Sequence, residues 1–113
     1  MKNVPKRVLI AEPDPELMQV FAKYLSDRGL AVRTAGTEEE CLRRVTEFHP
    51  DGLVIEPAEW GQGIVALITR KVPAAHVVVL SNCEFEPPAG HVSRQLVKPV
   101  TLHTLYEAIN EAD

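Results

Sequence analysis

The chain has 113 residues, 45% of them hydrophobic and 25% charged, which suits one domain with an unaided core and leaves little for a second. Its formal net charge is −4, and Lys and Arg occur in no long run, which argues against general affinity for nucleic acid or an anionic membrane. Met1 to Lys6 carries no apolar stretch, so neither a signal peptide nor a membrane span is expected and the cytoplasm is the expected location. Cys41 and Cys83 have no motif spacing and are expected to be free thiols.

Apolar runs and amphipathic stretches then alternate. Arg7 to Ala11 is a short strand ending in Glu12-Pro13. From Pro15 to Arg28, Leu17, Val20, Phe21, Tyr24 and Leu25 recur at helical spacing and Gly29 stops the helix. Asp14-Pro15 reads as N-cap and first helical residue. Leu30 to Ala35 is the second strand, and Thr37-Glu38-Glu39-Glu40 starts a helix that runs to about Phe48 as a capping box. Leu53-Val54-Ile55 is the third strand, ended by Glu56-Pro57.

A short helix from Ile64 to Arg70 follows the Gly61-Gln62-Gly63 turn. His76 to Leu80 is the strongest strand of the chain, and Gln95 to Val97 is a brief fifth one ending at Lys98-Pro99. The last helix runs from Thr101 to about Glu111 on the stripe Leu102, Leu105, Tyr106 and Ile109. Near-continuous apolar strands alternating with helices predict an α/β fold with a parallel, doubly wound sheet covered on both faces. One segment breaks the rhythm. Asn82 to Arg94 carries Glu84, Glu86, Pro87, Pro88 and Gly90, so a helix expected there is a poor one.

Sites in open parallel sheets form outside the carboxyl ends of the strands. Here those ends carry Glu12, Glu56, Ser81 and Lys98: two carboxylates, a hydroxyl and an ammonium, the inventory of phosphoryl transfer. Four motifs in order now resemble the receiver domains of two-component response regulators. They are Val8 to Leu17 around the acidic pair, Pro50 to Glu56 approaching the phosphoacceptor, Val78 to Ser81 at the switch hydroxyl, and Leu96 to Val100 with the lysine-proline signature. The resemblance implies a flavodoxin-like five-stranded sheet in the order 2-1-3-4-5 over residues 1–113, a place in a phosphorelay, and a cis bond before Pro99.

The departures are as informative. Glu56 stands at the position of the acceptor aspartate, and its extra methylene displaces the carboxylate further than reactive alignment tolerates. Pro13 replaces the acid expected to touch Mg²⁺, Gln95 replaces the switch aromatic, and the segment from Ser81 to Lys98 is shorter than the family's. Asp14 is better explained as a helix cap than as a metal ligand. The expected molecule is therefore a phosphorylation-independent pseudo-receiver. It has no catalytic residue and no cofactor, and it binds a histidine kinase, another signalling protein or a second copy of itself. Glu56 and Lys98 are expected to form a partly buried ion pair with Glu12 as a second carboxylate, either as an inert relic or as a partial, constitutive mimic of phosphorylation. The alternative is an active phosphoacceptor using Glu56 or Asp14, with Mg²⁺ on Glu12, Asp14 and Glu56.

Weaker signals point to structure. His49, His76, His91 and His103 lack metal-ligand spacing, and pairing Cys83 with His91 as ligands is a chance match. Trp60 is expected to pack on a neighbouring loop rather than to anchor a partner. Tyr106 and His103 offer a dimer face on the last helix.

Overall fold

The computed structural model describes residues 5–58, 60, 63–82 and 92–110. Over these the chain runs β1 (Arg7–Ala11), α1 (Pro15–Asp27), β2 (Ala31–Ala35), α2 (Glu38–Phe48), β3 (Gly52–Ile55), α3 (Ile64–Lys71), β4 (His76–Ser81), β5 (Arg94–Val97) and α4 (Leu102–Asn110). The strands form one parallel, doubly wound sheet, as the apolar pattern predicts, in the order β2-β1-β3-β4-β5 that the resemblance implies. Residues 83–91 lie outside the described ones, so the expectation of a degenerate helix between β4 and β5 falls there, as do Cys83 and His91.

Alternate residues of each central strand face opposite layers, which the apolar pattern makes possible. Val8, Ile10, Val54 and Val78 pack with Phe21 and Leu25 of α1 and with Leu105 and Ile109 of α4. Leu9, Leu53, Ile55 and Val77 pack on the other face with Cys41, Val45 and Phe48 of α2 and Val65 and Ile68 of α3. Right-handed crossovers account for this division, because the chain leaves β1 outward to β2 and then returns to β3 on the far side. The result is a switch in direction between β1 and β3, beside which Glu12 and Glu56 emerge.

Local chemistry fixes where the helices begin and end. The Asp14 carboxylate accepts from the N–H groups of Glu16 (3.0 Å) and Leu17 (3.3 Å), so it is the N-cap of α1. Thr37 Oγ1 accepts from Glu40 N–H at 3.1 Å, while Glu40 reaches back to Gly36 N–H at 2.7 Å, one residue earlier than in the usual reciprocal box. Arg28 caps α1 instead of extending it, and the amide of Leu30 closes on Leu25 O at 3.3 Å, which delays β2 to Ala31. Gly29 takes φ +90 at this turn, a conformation that favours glycine. At Gly52 a Cβ would lie 2.8 Å from the Pro5 Cβ, so glycine there lets the amino-terminal segment cross the start of β3. No helix among the described residues is long and apolar enough to cross a membrane.

Candidate functional site

Backbone hydrogen bonds carry the sheet one step past its strands and hold the site residues. Glu12 N–H donates to Ala35 O (3.1 Å), Glu56 N–H to Ala11 O (2.9 Å) and Lys98 N–H to Ser81 O (2.7 Å). The peptide bond from Lys98 to Pro99 is cis, as the lysine-proline motif implies. Glu12, Glu56, Ser81 and Lys98 thus converge at one edge of the sheet. Glu12 and Glu56 are 1% and 4% exposed and Ser81 is buried; the Lys98 side chain retains 19% exposure.

Lys98 divides itself unequally between the two carboxylates. Its Nζ donates to both oxygens of Glu12, at 3.0 and 3.1 Å, and stands 3.8 Å from Glu56 Oε2. The expected pair with Glu56 is present, but Glu12 is the shorter and two-oxygen partner. Glu56 instead turns its other oxygen, Oε1, onto the Ala58 N–H at 2.9 Å. Glu12 Oε1 also accepts from Asp14 N–H at 3.3 Å.

Two buried carboxylates therefore share one ammonium. Burial pushes the Glu12 carboxyl above its ordinary range, and the charge of Glu56 pushes it further. The Lys98 hydrogen bond and charge, together with the Asp14 amide, pull against that rise.

The remaining positions named from the sequence are less central. Pro13 brings no side-chain ligand atom. The Asp14 side chain is exposed and committed to the α1 cap. Gln95 Nε2 donates to Ser81 Oγ at 3.4 Å, so an amide occupies the hydroxyl where an aromatic is expected. Among the described residues no group of three or more His, Cys, Asp and Glu side chains is placed to hold a metal ion.

Trp60 is partly buried against the α2–α3 side of the core, so it packs on the core rather than on the neighbouring loop expected from the sequence. The Tyr106 ring meets Tyr24 edge-on with centroids 6.3 Å apart, which ties α4 to α1. His76 Nε2 and Ala108 O are 2.7 Å apart, a link between β4 and the end of α4 that sequence reasoning missed. Its only advance signal is a polar residue opening an otherwise apolar strand. His103 pairs with Glu107 on the surface (3.5 Å). His49 ends α2 in the left-handed region.

No protein-family model matches the chain, and no curated protein matches it. Solved structures do. A CheY-like response regulator receiver domain protein from Methanospirillum hungatei JF-1 is similar at 21% identity and TM-score 0.84, covering 94% of this chain and 91% of that one. A response regulator receiver domain protein from Clostridium thermocellum is similar at 25% identity and TM-score 0.75, covering 93% and 91%. A response regulator protein from Burkholderia pseudomallei, solved with a phosphorylated aspartic acid, calcium ion and citrate, gives 20% identity and TM-score 0.83, covering 92% of this chain and 66% of that one. The chain shares the fold of receiver domains.

Proposed function

We propose that the chain is a receiver module of the two-component signalling type that works without phosphorylation, docking a protein partner through its surface rather than reacting at its strand ends. The observation that carries this reading is the grip of Lys98 on both oxygens of Glu12 (3.0 and 3.1 Å), beside a Glu56 whose Oε1 is held by the Ala58 amide. A phosphoacceptor needs an unencumbered carboxylate aligned for in-line attack, with a cation ready for the phosphoryl oxygens. Here the cation is engaged by a neighbouring acid and the acceptor position is tied into a turn.

Mg²⁺ fits these residues poorly. The ion takes near-octahedral oxygen ligands and usually more than one carboxylate. Pro13 supplies none, Asp14 caps α1, and Glu12 and Glu56 already share Lys98. We assign no cofactor, no catalytic residue and no enzymatic activity.

The test is intact-mass measurement after incubation with acetyl phosphate and Mg²⁺, with a phosphorylatable receiver domain alongside as a control. The control gains phosphate and this chain does not. A Mg²⁺-dependent gain of one phosphate that Glu56→Gln abolishes would establish the rival reading, an active acceptor of altered geometry.

A further inference from the structure

We propose that the opposite end of the sheet, where β1 and β2 begin, is a docking site for an acidic segment of a partner protein. Arg7 and Arg33 are the groups that receive its carboxylates. This goes beyond the reading of the strand-end site and does not depend on it.

Two arginines share one aromatic ring there. Arg7 opens β1 and Arg33 lies in β2, paired in register with Leu9, so both stand on the sheet face that carries α2. The Phe48 ring at the end of α2 has the Arg7 Cζ 4.6 Å from its centroid and the Arg33 Cζ 5.2 Å away. Each guanidinium is also fixed by one backbone carbonyl: Arg7 Nη2 donates to Phe48 O, and Arg33 Nη1 donates to Val32 O at 3.2 Å. A guanidinium has five N–H donors in a planar fork. Both groups are therefore pre-oriented by stacking, keep several unused donors, and belong to exposed residues.

Neither has an anion of its own. Among the described residues no carboxylate lies within ion-pairing distance of Arg7 or Arg33, although the chain has 16 Asp and Glu against 12 Lys and Arg. The neighbouring carboxylates are engaged elsewhere. Asp51 accepts from the backbone N–H groups of Lys6 (2.9 Å) and Arg7 (2.8 Å), and Glu47 pairs with Arg43 at 3.6 Å. In an acidic protein, two held guanidiniums with no ion-paired carboxylate among the described residues make a prepared anion site.

The surroundings select the kind of anion. Lys6 adds positive charge at the same end, whereas Asp14, Glu16 and the Glu38–Glu40 turn gather at the far end of the sheet. Nucleic acid calls for a long track of cations, and a small patch on a chain of net charge −4 is no such track. Carboxylates match the guanidinium fork with two parallel hydrogen bonds. β2 is an edge strand with β1 as its neighbour in the sheet, and among the described residues no strand pairs with its outer side, along which an extended segment can lie.

The test uses the full chain and a fluorescein-labelled Glu-rich peptide of about ten residues, read by anisotropy at low salt. Its Gln counterpart and a single-stranded oligonucleotide of similar charge serve as comparators. The Glu peptide binds and is released by salt, the Gln peptide does not bind, and Arg33→Gln weakens binding about tenfold. Arg7→Lys, which keeps charge but loses the fork, weakens it as well, and a melting curve for each variant checks the fold. Glu56→Gln leaves binding unchanged, so failure here is separable from failure of the phosphorylation-independent reading. Absence of binding, equal binding by wild type and both arginine variants, or tighter binding of the oligonucleotide would overturn the proposal.

Discussion

Lys98→Met is the perturbation that most directly examines the strand-end cluster. Methionine keeps most of the volume and removes the cation that lies against Glu12 and Glu56. Both carboxylates are nearly fully buried, so neither can turn to water. Removing one partner of a buried ion pair costs roughly 3–5 kcal/mol. The retained hydrogen bonds from the Asp14 and Ala58 amides place the expectation at the lower end, about 3 kcal/mol near pH 7.5. A domain of this size holds roughly 6–17 kcal/mol in all, so the variant folds but melts substantially lower.

The sign of the pH dependence follows from the direction of the Glu12 shift. A carboxyl whose folded pKa is raised adds stability that is fully present below its unfolded value and is lost as pH climbs through the raised folded value. Burial already raises Glu12 against the opposing pull of Lys98, and deleting Lys98 raises it further. The deficit of Lys98→Met should therefore shrink toward pH 4.5 and grow toward neutrality. Urea unfolding of both proteins at pH 4.5, 6 and 7.5 measures this. A deficit below about 1 kcal/mol at pH 7.5, the worth of an exposed pair, would refute the burial argument, and so would a deficit independent of pH.

The helix starts make a second prediction: Asp14→Ala and Thr37→Ala should each cost about 1 kcal/mol in urea unfolding, because each removes a side-chain acceptor from amides at a helix start. If Asp14 were instead a metal ligand, Mg²⁺ would stabilise wild type more than Asp14→Ala. Cys41 is buried and its thiol is pushed up to about 12, chiefly by burial and then by Glu38 and Glu40. It should react with a thiol reagent at pH 8 only as fast as the domain opens, which a comparison with the urea-unfolded chain reads directly.

The fold was legible because each strand of the sheet's middle, buried on both sides, reads as a run of apolar residues, and because the turns carry their own chemistry. Asp14-Pro15, Thr37 with Glu40 and Gly29 each mark a helix end within a residue or so. Edges were less legible. Leu30 looks like strand but its amide belongs to the close of α1, a distinction made by a hydrogen bond rather than by hydropathy. The placement of Glu12, Glu56, Ser81 and Lys98 at the strand ends was also readable, since chain order in a doubly wound sheet brings strand ends together. Which acid holds Lys98 was not readable. That choice depends on side-chain reach across β1, β3 and β5, and the Ala58 amide competes for Glu56. The Arg7–Phe48–Arg33 stack was invisible for the same reason, its members being distant in sequence and joined only through the register of β1 and β2.

The unequal division of Lys98 bears on whether Glu56 imitates a phosphorylated aspartate. A phosphoryl group brings nearly two negative charges and three acceptor oxygens, enough to draw a nearby ammonium and hydroxyl toward itself. Glu56 brings one charge, and one of its oxygens is taken by Ala58. Lys98 remains closer to Glu12, and Ser81 Oγ accepts from Gln95. On the proposed reading, the groups that a phosphoryl oxygen would recruit have other partners here, and position 56 then acts as a structural carboxylate rather than as a constitutive mimic. On that view the variant that matters is Glu12→Gln. It removes the competing charge, leaves Glu56 as the anion opposite Lys98, and should draw Nζ toward Glu56. Glu12→Asp keeps the charge on a shorter arm and should leave Lys98 shared. A crystal structure of Glu12→Gln with Nζ still far from Glu56 Oε2 would show that geometry, not competition, keeps the two apart.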